Sequence, residues 1–69
     1  LDVNETVAKN VVYFRNLLGL SQNKLAEKLG VSPQAISKWE RGICCPDISL
    51  LPALSRVFEV SIDELFKKR

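Results

Sequence analysis

Gln34, Ser37, Lys38 and Arg41 stand at i, i+3, i+4 and i+7 in a chain of 69 residues, the spacing that gathers side chains on one face of an α-helix. Their chemistry is hydrogen bonding rather than bond making. A glutamine amide both donates and accepts, which fits the N6 and N7 edge of adenine, and a lysine one turn later reaches O6 or N7 of guanine. Ser37 is small enough to meet a base or a thymine methyl. The face has no carboxylate, and a helix presenting it suits the major groove of a duplex. As an isolated pattern it also describes an ordinary solvated helix face.

Those four residues are useful only if something holds their helix at a fixed angle. The stretch Ser21 to Gly42, SQNKLAEKLGVSPQAISKWERG, supplies it. Gln22 to Leu29 reads as a first helix with Ser21 as N-cap and Leu25, Ala26 and Leu29 on one face. Gly30 ends it in the left-handed conformation of a helix C′ position. Ser32 then caps a second helix, with Pro33 in its first turn, where a missing N–H costs nothing. Small Ala26 lets the helices approach, Val31 packs at the turn, and Ile36, Trp39 and Ile43 form the inward stripe. The pattern is a helix-turn-helix.

The edges of this unit are suited to phosphates. Gln22 offers side-chain and backbone donors where the helix dipole favours an anion. Asn23 and Lys24 follow it, Ser32 can divide its hydroxyl between cap and phosphate, and Arg41 lies at the far end.

Support comes from the flanks. Val3, Val7, Val11, Phe14 and Leu18 make residues 3 to 18 an amphipathic helix, with Asn4 or Thr6 as N-cap and Gly19 as stop. Pro52 must lie in a first turn, which predicts a helix over 50–58 capped by Ser49; a cap at Asp47 is the alternative. Leu50, Leu51, Leu54, Val57 and Phe58 make it core. A last helix over 62–67 places Ile62, Leu65 and Phe66 on the core or in a dimer seam. Ser21, Ser32 and Ser61 each sit between apolar N′ and N4 partners, and Glu64 completes a capping box with Ser61.

The stretch QNKLAEKLGVSPQAISKWERG resembles the phage-repressor and Cro-like (Xre-like) family of helix-turn-helix DNA-binding domains. Arg15 seven residues before Gln22, Pro46 after the glycine and the closing VSIDEL extend the likeness over nearly the whole chain. The resemblance implies an all-α, compact five-helix bundle spanning residues 1–69 as a single domain. It also implies an ion pair between Arg15 and Glu40 and a base-facing place for Pro33, which can offer only apolar contact.

Composition bounds the function. The net charge of +2 is small, yet residues 21–43 carry four basic and two acidic groups, while residues 44–66 carry one and four. That asymmetry suits a phosphate-facing surface. There is no histidine, no phosphate-binding glycine loop and no metal-ligand cluster, so neither catalysis nor a metal or cofactor is expected. Adjacent Cys44 and Cys45 read as free thiols of a reducing compartment, with a redox switch as the sharper alternative. No apolar run approaches the ~18 residues of a membrane span; a cytoplasmic, nucleoid-associated protein is expected. Leu1 in place of methionine suggests a processed product or a domain excised from a longer parent with a further domain or partner. The expected function is sequence-specific regulation of transcription, as a repressor acting as a homodimer on a palindromic operator in double-stranded DNA. An antitoxin or other protein-interaction module is the alternative, for which the reading face should be apolar or acidic.

Overall fold

A computed structural model describes residues 2–69, which form four α-helices and two short 3-10 segments, with no strand among the described residues. Helix α1 runs Val3–Leu17, α2 Gln22–Leu29, α3 Pro33–Glu40 and α4 Leu51–Phe58; the 3-10 segments are Ile48–Leu50 and Ile62–Phe66. The all-helical class agrees with the expectation from sequence, but the fifth helix is a 3-10 turn.

The reason lies in its carbonyls. The Nδ2 of Asn10 donates to Leu65 O at 2.7 Å and to Lys67 O at 2.9 Å, drawing both out of any helical ladder. A segment of five residues is also too short to favour α nucleation. Within it Glu64 N donates to Ser61 O at 3.1 Å, and the Ser61 side chain makes no cap. The expected capping box is therefore absent, because the Glu64 carboxylate accepts from Arg69 instead.

Helix starts follow side-chain oxygen. Ser21 Oγ accepts from Lys24 N at 3.0 Å and Ser32 Oγ from Ala35 N at 3.2 Å, as their spacing predicts. The first cap is Asp2, which accepts from Glu5 N at 3.3 Å, rather than Asn4 or Thr6. Asn4 is already inside the helix, where its Oδ1 accepts the Cys45 thiol at 2.8 Å. Before α4, Asp47 accepts from Ser49 N at 3.1 Å. The 3-10 turn absorbs residues 48–50, so α4 begins at Leu51 with Pro52 harmlessly in its first turn.

Helix ends share one turn. After α3, Gly42 N donates to Trp39 O and Ile43 N to Lys38 O, both at 3.0 Å, with Gly42 at φ +74°. This is the Schellman pair of bonds. The turn after α4 is built the same way, but Glu59 holds the left-handed position at φ +60°.

One core joins all the elements. Val7, Val11 and Phe14 of α1 meet Leu25 and Ala26 of α2, Ile36 and Trp39 of α3, Leu54 and Phe58 of α4, and Leu65. Val3 and Leu18, at the ends of the α1 stripe, remain exposed. Of the last apolar trio only Leu65 is buried, while Ile62 and Phe66 face solvent. Asn10 sits inside this core at 1% exposure. Its Oδ1 accepts from Arg69 Nε at 2.8 Å, and the guanidinium lies 5.1 and 4.8 Å from the ring centres of Tyr13 and Phe14.

Candidate nucleic-acid interface

The angle between α2 and α3 is fixed from three sides. Gly30 turns the chain at φ +73°, Val31 N donates to Ala26 O at 3.0 Å, and Leu25, Ala26, Ile36 and Trp39 interlock in the core. Ile36 is 0% and Trp39 4% exposed, so the opposite side of α3 must face outward.

That side carries the expected residues. Pro33 at the first position, Gln34 and Lys38 are exposed, and Ser37 is half-buried. Lys38 has no ion-pair partner among the described residues. Arg41 is the C-cap of α3; it is exposed, and its Nε donates to Ser37 O at 3.4 Å. A long, solvent-exposed bond to its own helix is readily exchanged for a charged acceptor. The inward stripe ends earlier than its spacing predicts, because Ile43 is 56% exposed. The α-helix stops at Glu40, and the left-handed Gly42 sends the next residue out of the helical register.

At the other edge, Asn23, Lys24 and Ser32 are exposed. Lys24 Nζ lies 3.0 Å from Glu27 Oε1 in an exposed pair, an arrangement of little energetic consequence that leaves the ammonium exchangeable. Ser32 accepts Ala35 N with its oxygen, which leaves its hydroxyl proton to donate elsewhere. Gln22 is half-buried, and its Nε2 donates to Glu40 Oε1 at 2.8 Å. Sequence reasoning placed Gln22 at a phosphate and missed this second attachment.

Beneath the interface lies the pair that the resemblance implies. Arg15 Nε and Nη2 donate to Glu40 Oε2 and Oε1 at 2.5 and 3.0 Å, and Nη1 donates to Leu20 O at 2.8 Å. The side chains are only 15% and 7% exposed. Hydrogen bonding to Glu40 outweighs burial and pushes the Arg15 pKa further up, so the guanidinium keeps its charge although it is largely covered. With Glu40 matched internally, the outward charge of this corner comes from Lys24, Lys28, Lys38 and Arg41 against Glu27. The surface is basic despite a nearly neutral chain.

The thiols lie just beyond. Cys44 is exposed; Cys45 is half-buried, and burial first, then Cys44 and Asp2, pushes its pKa up. No helix among the described residues is long and apolar enough to cross a membrane.

Comparison with known proteins places this geometry. A family model described as helix-turn-helix matches residues 12–65. The HTH-type transcriptional activator BcrR of Enterococcus faecalis is 52% identical over 46 residues, covering 67% of this chain but only 22% of that protein. An HTH-type transcriptional regulator of Methanocaldococcus jannaschii is 41% identical over 54 residues, covering 78% of this chain and 82% of its own length. Among solved structures, the P22 c2 repressor protein in complex with a synthetic operator superposes with a TM-score of 0.84 at 35% identity, covering 91% of this chain and 96% of that one.

Proposed function

We propose that this chain, which belongs to the helix-turn-helix family of transcriptional regulators, reads a palindromic operator as a homodimer and represses transcription in the cytoplasm. The single observation that supports this most is the division of α3. Ile36 and Trp39 are locked into the core while Gln34 and Lys38 stand in solvent, so the reading side chains are presented on a rigid support.

In this reading Gln34 and Lys38 contact adenine and guanine edges in the major groove, with Ser37 and Pro33 making short polar and apolar contacts. Gln22, Asn23, Lys24, Ser32 and Arg41 hold phosphates on either side. The solved P22 c2 repressor–operator complex at 35% identity supports both the DNA ligand and the repressor assignment. The activator BcrR is 52% identical over 46 residues of the same module, so the module by itself does not set the sign of control. The α3 face is polar and basic rather than apolar or acidic, which disfavours a protein partner there.

Selection of bound sequences from a random duplex pool tests the reading. A two-fold symmetric site with half-sites ~34 Å apart is expected. Affinity for random duplex should fall steeply between two salt concentrations, since neutralised phosphates release counterions; affinity indifferent to salt would remove DNA as the ligand. Lys38→Ala should relax preference at one base position by ~1–3 kcal/mol. Arg41→Ala should weaken all sequences alike and reduce the salt slope by about one unit.

A further inference from the structure

We propose that Gln22 is a positioning residue: it ties the phosphate anchor at the start of α2 to the far end of the reading helix, and thereby sets base discrimination as well as affinity. The inference rests on the DNA-binding reading above. A primary amide has two N–H donors and one carbonyl acceptor. One donor of Gln22 is committed to Glu40 Oε1 at 2.8 Å. Glu40 is the last residue of α3, and both of its oxygens are held by Arg15. Arg15 in turn holds Leu20 O, immediately before the Ser21 cap. One connected set of hydrogen bonds thus spans α1, the turn into α2, the first residue of α2 and the end of α3.

The consequence for an anion follows from the remaining donor. Gln22 is half-buried, and its second N–H is left beside a helix start whose backbone donors and dipole favour a phosphate. The carboxylate that orients the amide does not repel that phosphate, because Arg15 neutralises it. A phosphate held by Gln22 therefore restrains Glu40, and through it the tilt of the eight-residue helix that carries Gln34 and Lys38. An ordinary phosphate contact weakens every sequence equally when it is lost. Loss of Gln22 also loosens the reading helix, so the preferred sequence suffers more.

Gln22→Met keeps length and removes both donors. With the selected duplex and a random duplex of equal length, at one salt concentration, the variant should lose about tenfold in the ratio of the two affinities. Equal weakening on both duplexes, or no weakening on either, overturns the proposal. If Gln22→Met does not fold, Gln22→Asn, one methylene shorter, serves in its place. A second measurement needs no DNA: in the NMR spectrum of the free wild-type protein, one of the two Gln22 amide protons should be shifted and protected from exchange. Two protons exchanging like those of a free glutamine sink the proposal while leaving DNA binding intact. Salt-insensitive binding by the wild type sinks the DNA-binding reading instead.

Discussion

Two polar clusters are built into the interior of this small domain, one under α3 and one under the C-terminal segment, and they differ in what they leave unused. The Arg15–Glu40–Gln22 cluster satisfies a half-buried ion pair and still leaves donors at the start of α2. The Asn10 cluster consumes itself. Both amide hydrogens of Asn10 go to main-chain carbonyls and its oxygen to Arg69, whose guanidinium is also engaged by Glu64 and two aromatic rings. The first arrangement stabilises and presents; the second only fastens. Buried polar groups are therefore no guide to a ligand surface until their donors and acceptors have been accounted for.

That contrast can be broken from either end. The largest effect is expected for Glu40→Ala, which strands the Arg15 charge and should cost about 3–5 kcal/mol in urea unfolding; a loss under 1 kcal/mol would mean that the pair contributes no more than an exposed one. Asn10→Leu leaves two carbonyls and an arginine without their partner and should cost about 2–3 kcal/mol. Where the Asn10→Leu protein remains folded, its affinity for the selected duplex should be unchanged, and a weakened affinity would erase the distinction between the two clusters. Glu59→Gly relieves a left-handed side chain at the junction between α4 and the C-terminal segment and should raise stability by about 0.5–1 kcal/mol.

The smallest effect is a dependence on pH. Hydrogen bonding to Arg69, then the charges of Lys67 and Arg69, holds the Glu64 carboxyl below its usual range. Because the folded value lies below the unfolded one, its stabilisation is present above about pH 4 and is lost as pH falls through the folded value. Glu64→Gln should therefore flatten the acid side of a stability profile slightly while leaving DNA binding at neutral pH unaltered.

The two regions also differ in how far they could be read from residues alone. The Ser21 and Ser32 caps, the turn at Gly30 and the buried Ile36 and Trp39 follow from local spacing, because each depends on neighbours within four positions. The Arg15–Glu40 pair joins residues 25 apart and was legible only through family likeness. No motif or cap pattern picks out Asn10. The signal was its place on the apolar stripe, three residues after Val7 and four before Phe14, where a polar side chain must find a buried partner. Its partners lie 55 to 59 residues away, beyond the range of any helical rule. The same long-range capture explains why the last segment winds as a 3-10 turn despite the sequence of a capping box. Ile43 was misplaced for the opposite reason, since its periodicity continued past a turn that ends the helix.

The turn at Gly42 also limits how much one copy can know. Eight residues of α3 extend ~12 Å, which at ~3.4 Å per base pair spans roughly four letters of duplex text. A four-letter word recurs about once in 250 positions, thousands of times among the ~10⁶ or more competing sites of a genome. A single reading helix of this length cannot specify an address, whereas two words at a fixed spacing recur about once in 65,000 positions, which reduces thousands of competing sites to roughly fifteen in ~10⁶.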